Sequence, residues 1–390
     1  MRKVKPLLRF RRIDSAWLDI KISTVATLTS GEHLSPENYS KSGLIPYFTG
    51  PSDITENISS VKKFTDKNGK LCNLGDVLIT VKGSGVGKTT ILKLPKAFMG
   101  RQLMSLSSTP ELNIILKSIL EKKLQRLEAL AMGNMIPGLS RPDILSFPIS
   151  IPENIVEQQK VAGFLTSVDN KISQLTEKHR LLKDYKKGVI QQIFSQQIRF
   201  KDDDGKAFAE WDYRKGNDVF IAVSNKKHSS DLPILAITQE HGAIPRDLIG
   251  YEVQVTDSSI SGYKVVKKGD FIISLRSFQG GIEYSNYHGI CSPAYIILRP
   301  KLKVSDKFFC YYLKTHNFLQ DMKKRLEGIR DGKILSYKYF SEIELPFPSV
   351  EEQQKIAQFL QSLDKKIDAV NQQIEQTKLF KKGLLQQMFV

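Results

Sequence analysis

The sequence predicts a mixed α/β (α+β) chain made of two similar halves, each a globular domain followed by one long helix. A 38-residue segment occurs twice, at 157–194 and 352–389, without a gap and with 18 identical positions. Both copies have a helical pattern, whereas the segments between them mix β-branched runs with capped helical runs. The 195-residue offset is too long for a solenoid, whose repeats run to about 20–50 residues. We therefore predict a duplication with an internal pseudo-twofold repeat.

The repeated segments are predicted to form a coiled coil. Their apolar residues follow alternating spacings of four and three, which is typical of a left-handed coiled-coil seam. A helix of this length spans on the order of 55 Å and cannot bury a narrow seam alone, so we expect an intramolecular antiparallel pair. The polar seam residues His179, Lys186 and Lys381 are expected to fix its register. The seam positions assigned to packing and partner binding are Val161, Leu165, Val168, Ile172 and Leu175 in the first copy and Ile356, Leu360, Leu363, Ile367 and Val370 in the second.

Matching turn signals recur in the two globular parts. Gly75-Asp76 and Gly269-Asp270 lie 194 residues apart, and each pair precedes an apolar, β-branched run that predicts a strand. Outside such elements the two parts share little sequence. This is expected if each half keeps a common frame but binds something different.

Each globular part is predicted to contain one capped helix and to end at prolines. The helix begins after Thr109 in the first half and after Ser305 in the second, and it ends at Gly133 and Gly328. Prolines beyond these helices separate the globular part from the long helix. The predicted globular domains are 1–150 and 198–345, and the predicted helical regions are 151–197 and 346–390.

The charge balance predicts a polyanionic partner. The chain carries +17, of which the two helix copies hold only +3 and +2, so the excess lies chiefly on the globular parts. Basic globular modules favour DNA as the partner. On charge alone, a merely basic protein without such a partner stays an alternative.

The cysteines and the apolar runs indicate a cellular compartment. Cys72, Cys291 and Cys310 lack the spacing of a zinc site or of a disulfide framework, which favours a reducing environment. The N-terminal residues lack a signal-peptide stretch, and no apolar run reaches the length of a membrane span. We expect a cytoplasmic protein with no metal site and no membrane association.

One glycine-rich loop partly matches a phosphate-binding loop. Residues 82–90 read KGSGVGKTT, but the P-loop requires glycine where Lys82 stands. The β-branched, proline-containing segment that follows does not predict a helix whose N-terminus could bind phosphate. A P-loop NTPase stays an alternative function. Motifs of amino-methyltransferases, nucleases, metalloproteases and serine hydrolases are missing from the sequence, which predicts that the chain is not an enzyme.

Two sets of motifs connect the chain with a known family. The helix copies begin with PENIVEQQKVAGFLTSVDNKI and PSVEEQQKIAQFLQSLDKKI, and each continues to KKG, two apolar residues, QQ, an apolar residue and Phe. The globular parts open with LLRF…AW and IRF…EW. With two copies in this order, the whole chain resembles the specificity (S) subunit of type I restriction–modification systems.

The resemblance implies that 1–150 and 198–345 are target-recognition domains, each binding one half of a bipartite double-stranded DNA sequence. It implies that the long helices space these domains and dock methyltransferase (M) subunits, two in number, with restriction (R) subunits joining. It also implies no cofactor on this chain, since S-adenosylmethionine, ATP and Mg²⁺ would act in the partner subunits. The recognition subunit of another restriction class and a coiled-coil scaffold that reads no sequence stay open as alternatives.

Loop position and side-chain chemistry indicate which residues contact DNA. Lysines and arginines are expected to bind phosphates, and side chains that reach base edges are expected to read the sequence. Arg276 is expected to belong to the reading set, so that Arg276→Ala should weaken binding selectively for one half-site. The candidates are Tyr47, Lys82, Ser84 and Lys88 in the first globular part and Thr238, Gln239, Arg276, Phe278 and Gln279 in the second.

Overall fold

The computed structural model describes residues 6–10, 16–132, 138–228, 231–250, 260–274, 282–324 and 337–389. The helices are α1 (Pro110–Lys122), α2 (Leu124–Met132), α3 (Arg141–Leu145), α4 (Ile155–Phe194), α5 (Gly216–Val219), α6 (Asp306–Tyr312), α7 (His316–Lys324), α8 (Tyr337–Ser341) and α9 (Val350–Met388). The strands of the first half are β1 (Trp17–Lys21), β2 (Thr27–Ser30), β3 (Ile45–Phe48), β4 (Phe64–Thr65), β5 (Leu71–Asn73), β6 (Val77–Thr80), β7 (Thr89–Ile91), β8 (Lys96–Met99), β9 (Leu103–Ser107) and β10 (Pro148–Pro152). Those of the second half are β11 (Asp212–Lys215), β12 (Phe220–Val223), β13 (Leu235–Thr238), β14 (Gly242–Pro245), β15 (Lys264–Val266), β16 (Phe271–Ile273), β17 (Glu283–Tyr284), β18 (Gly289–Cys291), β19 (Ile296–Pro300) and β20 (Glu344–Phe347).

Two long helices lie where the repeated segments predict them. Helix α4 contains 40 residues and α9 contains 39, so each is about 60 Å long at 1.5 Å per residue. The chain divides into two compact units, the first formed by Met1–Lys178 with Val370–Val390 and the second by His179–Ala369. Each unit therefore holds one globular part together with a portion of each long helix.

Within each unit the two long helices pack antiparallel. In the first unit, Val161 near the start of α4 shares a core with Met388 near the end of α9. In the second unit, Ile193 near the end of α4 shares a core with Ile356 near the start of α9. The ten predicted seam residues are buried, except that Ile172 is half-buried. The predicted antiparallel pair is confirmed.

The two globular parts share a framework of sheets. A two-stranded antiparallel pair joins the start of each part to its end, β1 with β10 and β11 with β20. A four-stranded antiparallel sheet has the order β2-β9-β6-β7 in the first part and β12-β19-β16-β17 in the second. Matching strands occupy matching places, so the predicted mixed fold and its internal repeat are confirmed.

The remaining strands of the first globular part correspond only in part to those of the second. The first part has the order β4-β3-β8-β5, with β3 and β8 parallel. In the second part β13 pairs with β14 and β15 with β18, and a parallel bridge joins Ile234 to Ile290 where β3 and β8 pair in the first. Residues 49–63 connect β3 to β4, whereas residues 239–241 suffice to connect β13 to β14. The first part thus has a longer connection here, residues 49–63, which we call the excursion. The β13–β14 connection of the second part contains no counterpart of it.

The predicted glycine turns are present and precede strands β6 and β16. Gly75 has a φ of +89° and Gly269 a φ of +98°, a conformation that glycine adopts without steric cost. Asp76 and Asp270 each accept a hydrogen bond from the backbone N–H three residues earlier, at 2.8 and 2.7 Å. These side-chain bonds close the turns and explain why aspartate follows glycine in both halves.

The capped helix predicted in the first half is divided into two helices. The hydroxyl of Thr109 accepts a hydrogen bond from Leu112 N–H at 3.3 Å, so the predicted N-cap is confirmed. At Lys123 the backbone leaves the helical conformation, with φ −95° and ψ 19°, and α2 begins at the next residue. The prediction of one continuous helix was wrong, and its predicted end, Gly133, lies outside the described residues.

The second half shows the same division. Ser305 precedes α6, but its side chain makes no capping hydrogen bond. Helix α6 ends at Tyr312. The hydroxyl of Thr315 accepts a hydrogen bond from Phe318 N–H at 3.4 Å and so caps the start of α7. The helix predicted to run on to Gly328 is again two helices, and Gly328 itself lies outside the described residues.

The remaining features concern the thiols and the polarity of the helices. Cys72, Cys291 and Cys310 are free, and burial raises the pKa of each thiol to about 12, which makes them poor nucleophiles. The described residues bring together no group of three His, Cys, Asp or Glu side chains that could hold a metal ion. Every helix within the described ranges is too polar or too short to cross a lipid bilayer.

Candidate nucleic-acid interface and its helical frame

A buried glutamate at the start of each long helix binds an arginine from the opening of the globular part. Glu157 accepts hydrogen bonds from Arg9 Nε and Nη2 at 3.0 and 2.8 Å. Glu352, at the same position of the repeat, accepts them from Arg199 Nε and Nη2 at 3.0 and 3.2 Å. Paired, charge-assisted bonds of this kind are strong and directional. The glutamate of the repeated EQQK motif therefore ties the opening of each globular part to the helix that closes it.

The first glutamine of the same motif stabilises the entry into each helix. Gln158 donates from Nε2 to Pro152 O at 2.8 Å, and Gln353 donates from Nε2 to Pro348 O at 2.9 Å. Pro152 and Pro348 are buried, and a buried carbonyl group needs a hydrogen-bond donor. Two successive residues of the motif thus have structural roles in the frame.

The seam lysines pair with aspartates of the opposite helix. Lys186 on α4 forms an ion pair with Asp364 on α9, and Tyr311 donates its hydroxyl to Asp364 at 2.6 Å. Lys381 on α9 lies 2.7 Å from Asp169 on α4. Lys186 and Lys381 occupy one position of the repeat, and the two aspartates occupy another. One contact is therefore made twice, once in each unit, and it can form only in this antiparallel register.

The pair in the first unit belongs to a larger charge cluster. Lys381 Nζ also lies 2.8 Å from Glu121, and Asp169 also pairs with Lys117 at 3.2 Å. Burial by itself would lower the pKa of Lys381, but the charges of Glu121 and Asp169 raise it. Burial would raise the pKa of Asp169, but hydrogen bonds and charge from Lys381 and Lys117 hold it below its usual value. Both shifts favour the charged forms of Lys381 and Asp169.

One aromatic side chain projects from the same position of both long helices. Tyr185 on α4 is 54% exposed and Phe380 on α9 is 55% exposed. Gly188 and Gly383 follow one helical turn later, and a Cβ at either glycine would have nothing within 4 Å. We call each aromatic residue with its glycine an aromatic patch. Aromatic residues are enriched at protein interfaces.

Unpaired cations concentrate in one stretch of the first globular part. Residues 62–101, the cationic segment, contain nine Lys and Arg and two Asp, a net charge of +7. One of the aspartates, Asp76, is buried. All nine cations lie in the described part of the chain, and none of them forms an ion pair there. They are therefore available to phosphate groups.

The glycine-rich loop 82–88 within this segment is not a nucleotide-binding P-loop. Strand β7 follows it and pairs antiparallel with β6, where a P-loop needs a helix. Val86 N–H and Lys88 N–H donate to carbonyls of the loop at 3.1 and 3.0 Å, and Gly87 N–H donates to Thr80 O at the end of β6 at 2.8 Å. These three amides already have acceptors and are not free to bind a phosphate.

The predicted DNA-contacting residues of the first globular part have different environments. Lys82, Ser84 and Lys88 are exposed and lie together on this loop. Tyr47 is only 2% exposed and packs in a core cluster, and its hydroxyl accepts a hydrogen bond from Leu34 N–H at 3.2 Å. The interpretation of Tyr47 as a DNA-contacting residue was wrong, because its whole side chain serves the core.

In the second globular part, two candidates lie at the β13–β14 turn. The hydroxyl of Thr238 donates to Gly242 O at 3.2 Å and accepts from His241 N–H at 3.0 Å, so it closes the turn. Gln239 is exposed at the tip. The candidates Arg276, Phe278 and Gln279 lie outside the described residues.

Lys314 holds this turn in place, a role that sequence reasoning missed. Its Nζ lies 2.8 Å from Glu283 Oε2 and donates to Gln239 O at 3.1 Å. Burial raises the pKa of Glu283, and the hydrogen bond and charge of Lys314 oppose that shift. Gly242 has a φ of +69°, and a Cβ there would lie 2.6 Å from Tyr284 O. The tip of the turn is thereby fixed against β17.

Comparison with known proteins identifies the family. A family model described as the type I restriction modification DNA specificity domain matches this chain twice, at residues 14–183 and 209–379. The chain belongs to the type I restriction–modification specificity family. The resemblance of the repeated motifs to specificity subunits is thus confirmed, and the double match coincides with the duplication. Each specificity domain includes a globular part and most of the long helix that follows it.

Two type I specificity subunits are similar to this chain along most of their length. The specificity subunit of the type I restriction enzyme MjaVIII from Methanocaldococcus jannaschii is 24% identical over 351 residues, with 84% of this chain and 81% of that protein covered. A putative type I specificity subunit from Mycoplasma genitalium is 23% identical, with 96% and 94% covered.

Solved structures share the fold of this specificity chain. The crystal structure of a type I restriction–modification S subunit from M. genitalium has a TM-score of 0.61 at 19% identity and covers 99% of both chains. A chain solved in work on complex assembly and conformational transition of the type I R-M system has a TM-score of 0.55 at 16% identity, with 96% and 98% covered. At these identities the likeness concerns the fold, which it confirms.

Proposed function

We propose that this specificity chain reads a bipartite double-stranded DNA sequence, with each globular part binding one half-site and the paired helices setting the unread spacer between them. One observation carries the proposal. The Glu–Arg clamps, the glutamine caps and the Lys–Asp seam contacts recur in both halves, whereas the connections and surface charges of the globular parts differ. Helices that make the same contacts in both halves, joined to two globular parts that differ, fit a DNA target with two different half-sites.

The chain directs chemistry that its partners perform. Two methyltransferase subunits dock on it and methylate adenine with S-adenosylmethionine, and restriction subunits join them for ATP- and Mg²⁺-dependent cleavage. The chain itself binds no cofactor and catalyses no step, and it acts in the cytoplasm. Family membership, the P-loop-like turn whose amides are already bonded and the inert thiols support this division of roles.

The aromatic patches supply the docking surface for the methyltransferase subunits. Tyr185 and Phe380 recur at one repeat position, so a partner present in two copies can bind both patches with the same surface. An aromatic residue at the centre of an interface commonly contributes 2 kcal/mol or more, which is about thirtyfold in affinity. We expect Tyr185→Ser and Phe380→Ser each to weaken one of two docking sites by about that factor, and the double variant to lose co-purification of both methyltransferase copies.

Met132→Ser serves as the matched control, since Met132 is an exposed apolar residue on α2. It should leave the stoichiometry unchanged. Retention of two methyltransferase copies by the Tyr185→Ser, Phe380→Ser double variant in size-exclusion chromatography with light scattering would contradict this docking role. Co-purification of catalytic subunits from another restriction class would instead support the alternative assignment.

The cations of the glycine-rich loop test DNA binding itself. If Lys82 and Lys88 contact phosphates, Lys82→Ala and Lys88→Ala should each weaken binding of the assembled complex to all duplexes alike. Each should also reduce the slope of log K against log salt by about one. Fluorescence anisotropy over a salt series measures both effects.

Lys183→Ala, which removes an exposed lysine from α4, is the control and should leave the slope unchanged. A slope that stays at the wild-type value in Lys82→Ala and Lys88→Ala would remove both residues from the interface. ATP binding that disappears in Lys88→Ala would instead favour the P-loop alternative.

A further inference from the structure

An open groove of about 510 Å³ lies on the first globular part within reach of the cationic segment. Two of its apolar side chains project into solvent, Leu44 with 82% of its surface exposed and Ile58 with 53%. The groove is lined by Leu44, Pro46, Ile58 and Leu94, with Glu56 and Lys96 as its charged residues. Exposed, adjacent apolar side chains of this size contribute nothing to the core, and such patches mark interaction sites.

The wall that carries Ile58 belongs to the excursion 49–63. Its local structure is fixed by its own side chains. Asp53 accepts a hydrogen bond from Thr49 N–H at 3.0 Å, and Asn57 accepts one from Ser59 N–H at 3.0 Å. Ile58 is therefore held at the surface by a preformed turn, and the β13–β14 connection of the second globular part, residues 239–241, is too short to contain such an excursion.

Leu44, which also lines the groove, is fixed in the same way. The backbone N–H of Leu44 donates to Asp66 Oδ1 at 3.2 Å, and β3 begins at the next residue, Ile45, which is buried. Leu44 thus projects from the rigid start of a strand. A preformed apolar groove costs little ordering entropy when it binds, which favours its use in recognition.

The charges around the groove select its occupant. Lys96 lines it, and Lys62 and Lys63 stand at the end of the excursion, so the surroundings attract a polyanion. The groove itself combines apolar side chains with the carboxylate of Glu56, which cannot bind phosphate. This combination fits a base edge flanked by phosphates.

Among the base edges in the major groove, the only apolar group is the C5-methyl of thymine, and glutamate accepts hydrogen bonds from exocyclic amino groups. We propose that the Leu44–Ile58 groove is a base-reading site for the 5-methyl group of a thymine in the half-site of the first globular part. The inference rests on the proposed DNA-reading function and assigns part of its specificity.

The test uses the assembled complex and duplexes in which deoxyuridine replaces each thymidine of the mapped half-site in turn. Removing the methyl should weaken wild-type binding about fourfold at one position, the equivalent of one buried methyl group. In Leu44→Ser and Ile58→Ser the affinities for the thymidine and deoxyuridine duplexes should become equal. Both residues are exposed, so the variants should fold normally.

Leu248→Ser is the matched control, because Leu248 is an exposed leucine of the second globular part. It should keep the wild-type discrimination in the first half-site. Equal wild-type binding of thymidine and deoxyuridine duplexes at every position overturns the groove proposal while leaving DNA reading intact. Unchanged discrimination between thymidine and deoxyuridine duplexes in Leu44→Ser also overturns it. The same holds if Leu44→Ser loses a protein subunit from the complex and keeps the discrimination. A wild-type complex without any sequence preference would remove the proposed function as well.

Discussion

Replacing Arg199 by alanine should lower the free energy of unfolding by about 3 kcal/mol, because it leaves the carboxylate of Glu352 buried without its charged partner. Glu352 is 0% exposed, and both of its oxygens accept hydrogen bonds from the guanidinium. Arg199 itself is partly exposed, so we expect the lower end of the range for broken buried pairs. Urea unfolding of the purified chain measures the loss.

Two matched variants sharpen this expectation. Arg214→Ala breaks the ion pair with Asp212 and removes the guanidinium from the ring of Phe347, whose centroid lies 4.2 Å away. Both contacts are at least partly solvent-exposed, so together they should cost less than about 2 kcal/mol. Arg9→Ala should cost about 1 kcal/mol less than Arg199→Ala, because Trp17 Nε1 still donates to Glu157 at 3.2 Å. The indole N–H of Trp211 has no acceptor within the described residues. An Arg199→Ala loss no larger than that of Arg214→Ala would show that the clamp does not stabilise the frame.

Inserting one heptad in both long helices should lengthen the unread spacer of the DNA target and leave both half-sites unchanged. The insertions belong after Lys178 in α4 and after Ala369 in α9, where each helix passes from one unit into the other. Seven residues keep the seam in phase and add about 10 Å, which corresponds to about three base pairs of DNA. Mapping of methylated adenines in cells measures the spacer directly.

A heptad inserted in α4 alone is the control. The contacts Lys186–Asp364 and Lys381–Asp169 cannot both form when one helix is longer than the other, so this variant should lose methylation. Methylation by the double insertion at the original spacing would show that the helices do not set the distance between the half-sites.

Local patterns allowed much of the frame to be predicted from the sequence. The coiled-coil seam depends on apolar spacings of three and four residues. The turns at Gly75 and Gly269 depend on one backbone conformation of glycine. The Thr109 cap depends on a hydrogen bond to a residue three positions later. Each of these is decided by neighbours in the chain. The repeat added a second, independent copy of most of these signals and revealed the duplication.

Features that depend on distant residues could not be predicted. Tyr47 has the chemistry of a base-contacting residue, and only its packing against Leu34 and Phe98 in the core shows that it is buried. Lys314 looks like any surface lysine until its contacts with Gln239 and Glu283, 75 and 31 residues away in the chain, are known. By contrast, the cationic segment could have been found by counting charges within the globular parts.

The most direct measurement of the central claim is the genome-wide mapping of methylated adenines in cells with and without this gene. We expect two defined half-sites separated by a fixed number of unspecified bases, methylated only when the gene is present. Two results would contradict the claim that two globular parts on a helical frame read two half-sites. One is methylation of that motif in cells lacking the gene. The other is a motif that depends on the gene but is one continuous stretch without a spacer.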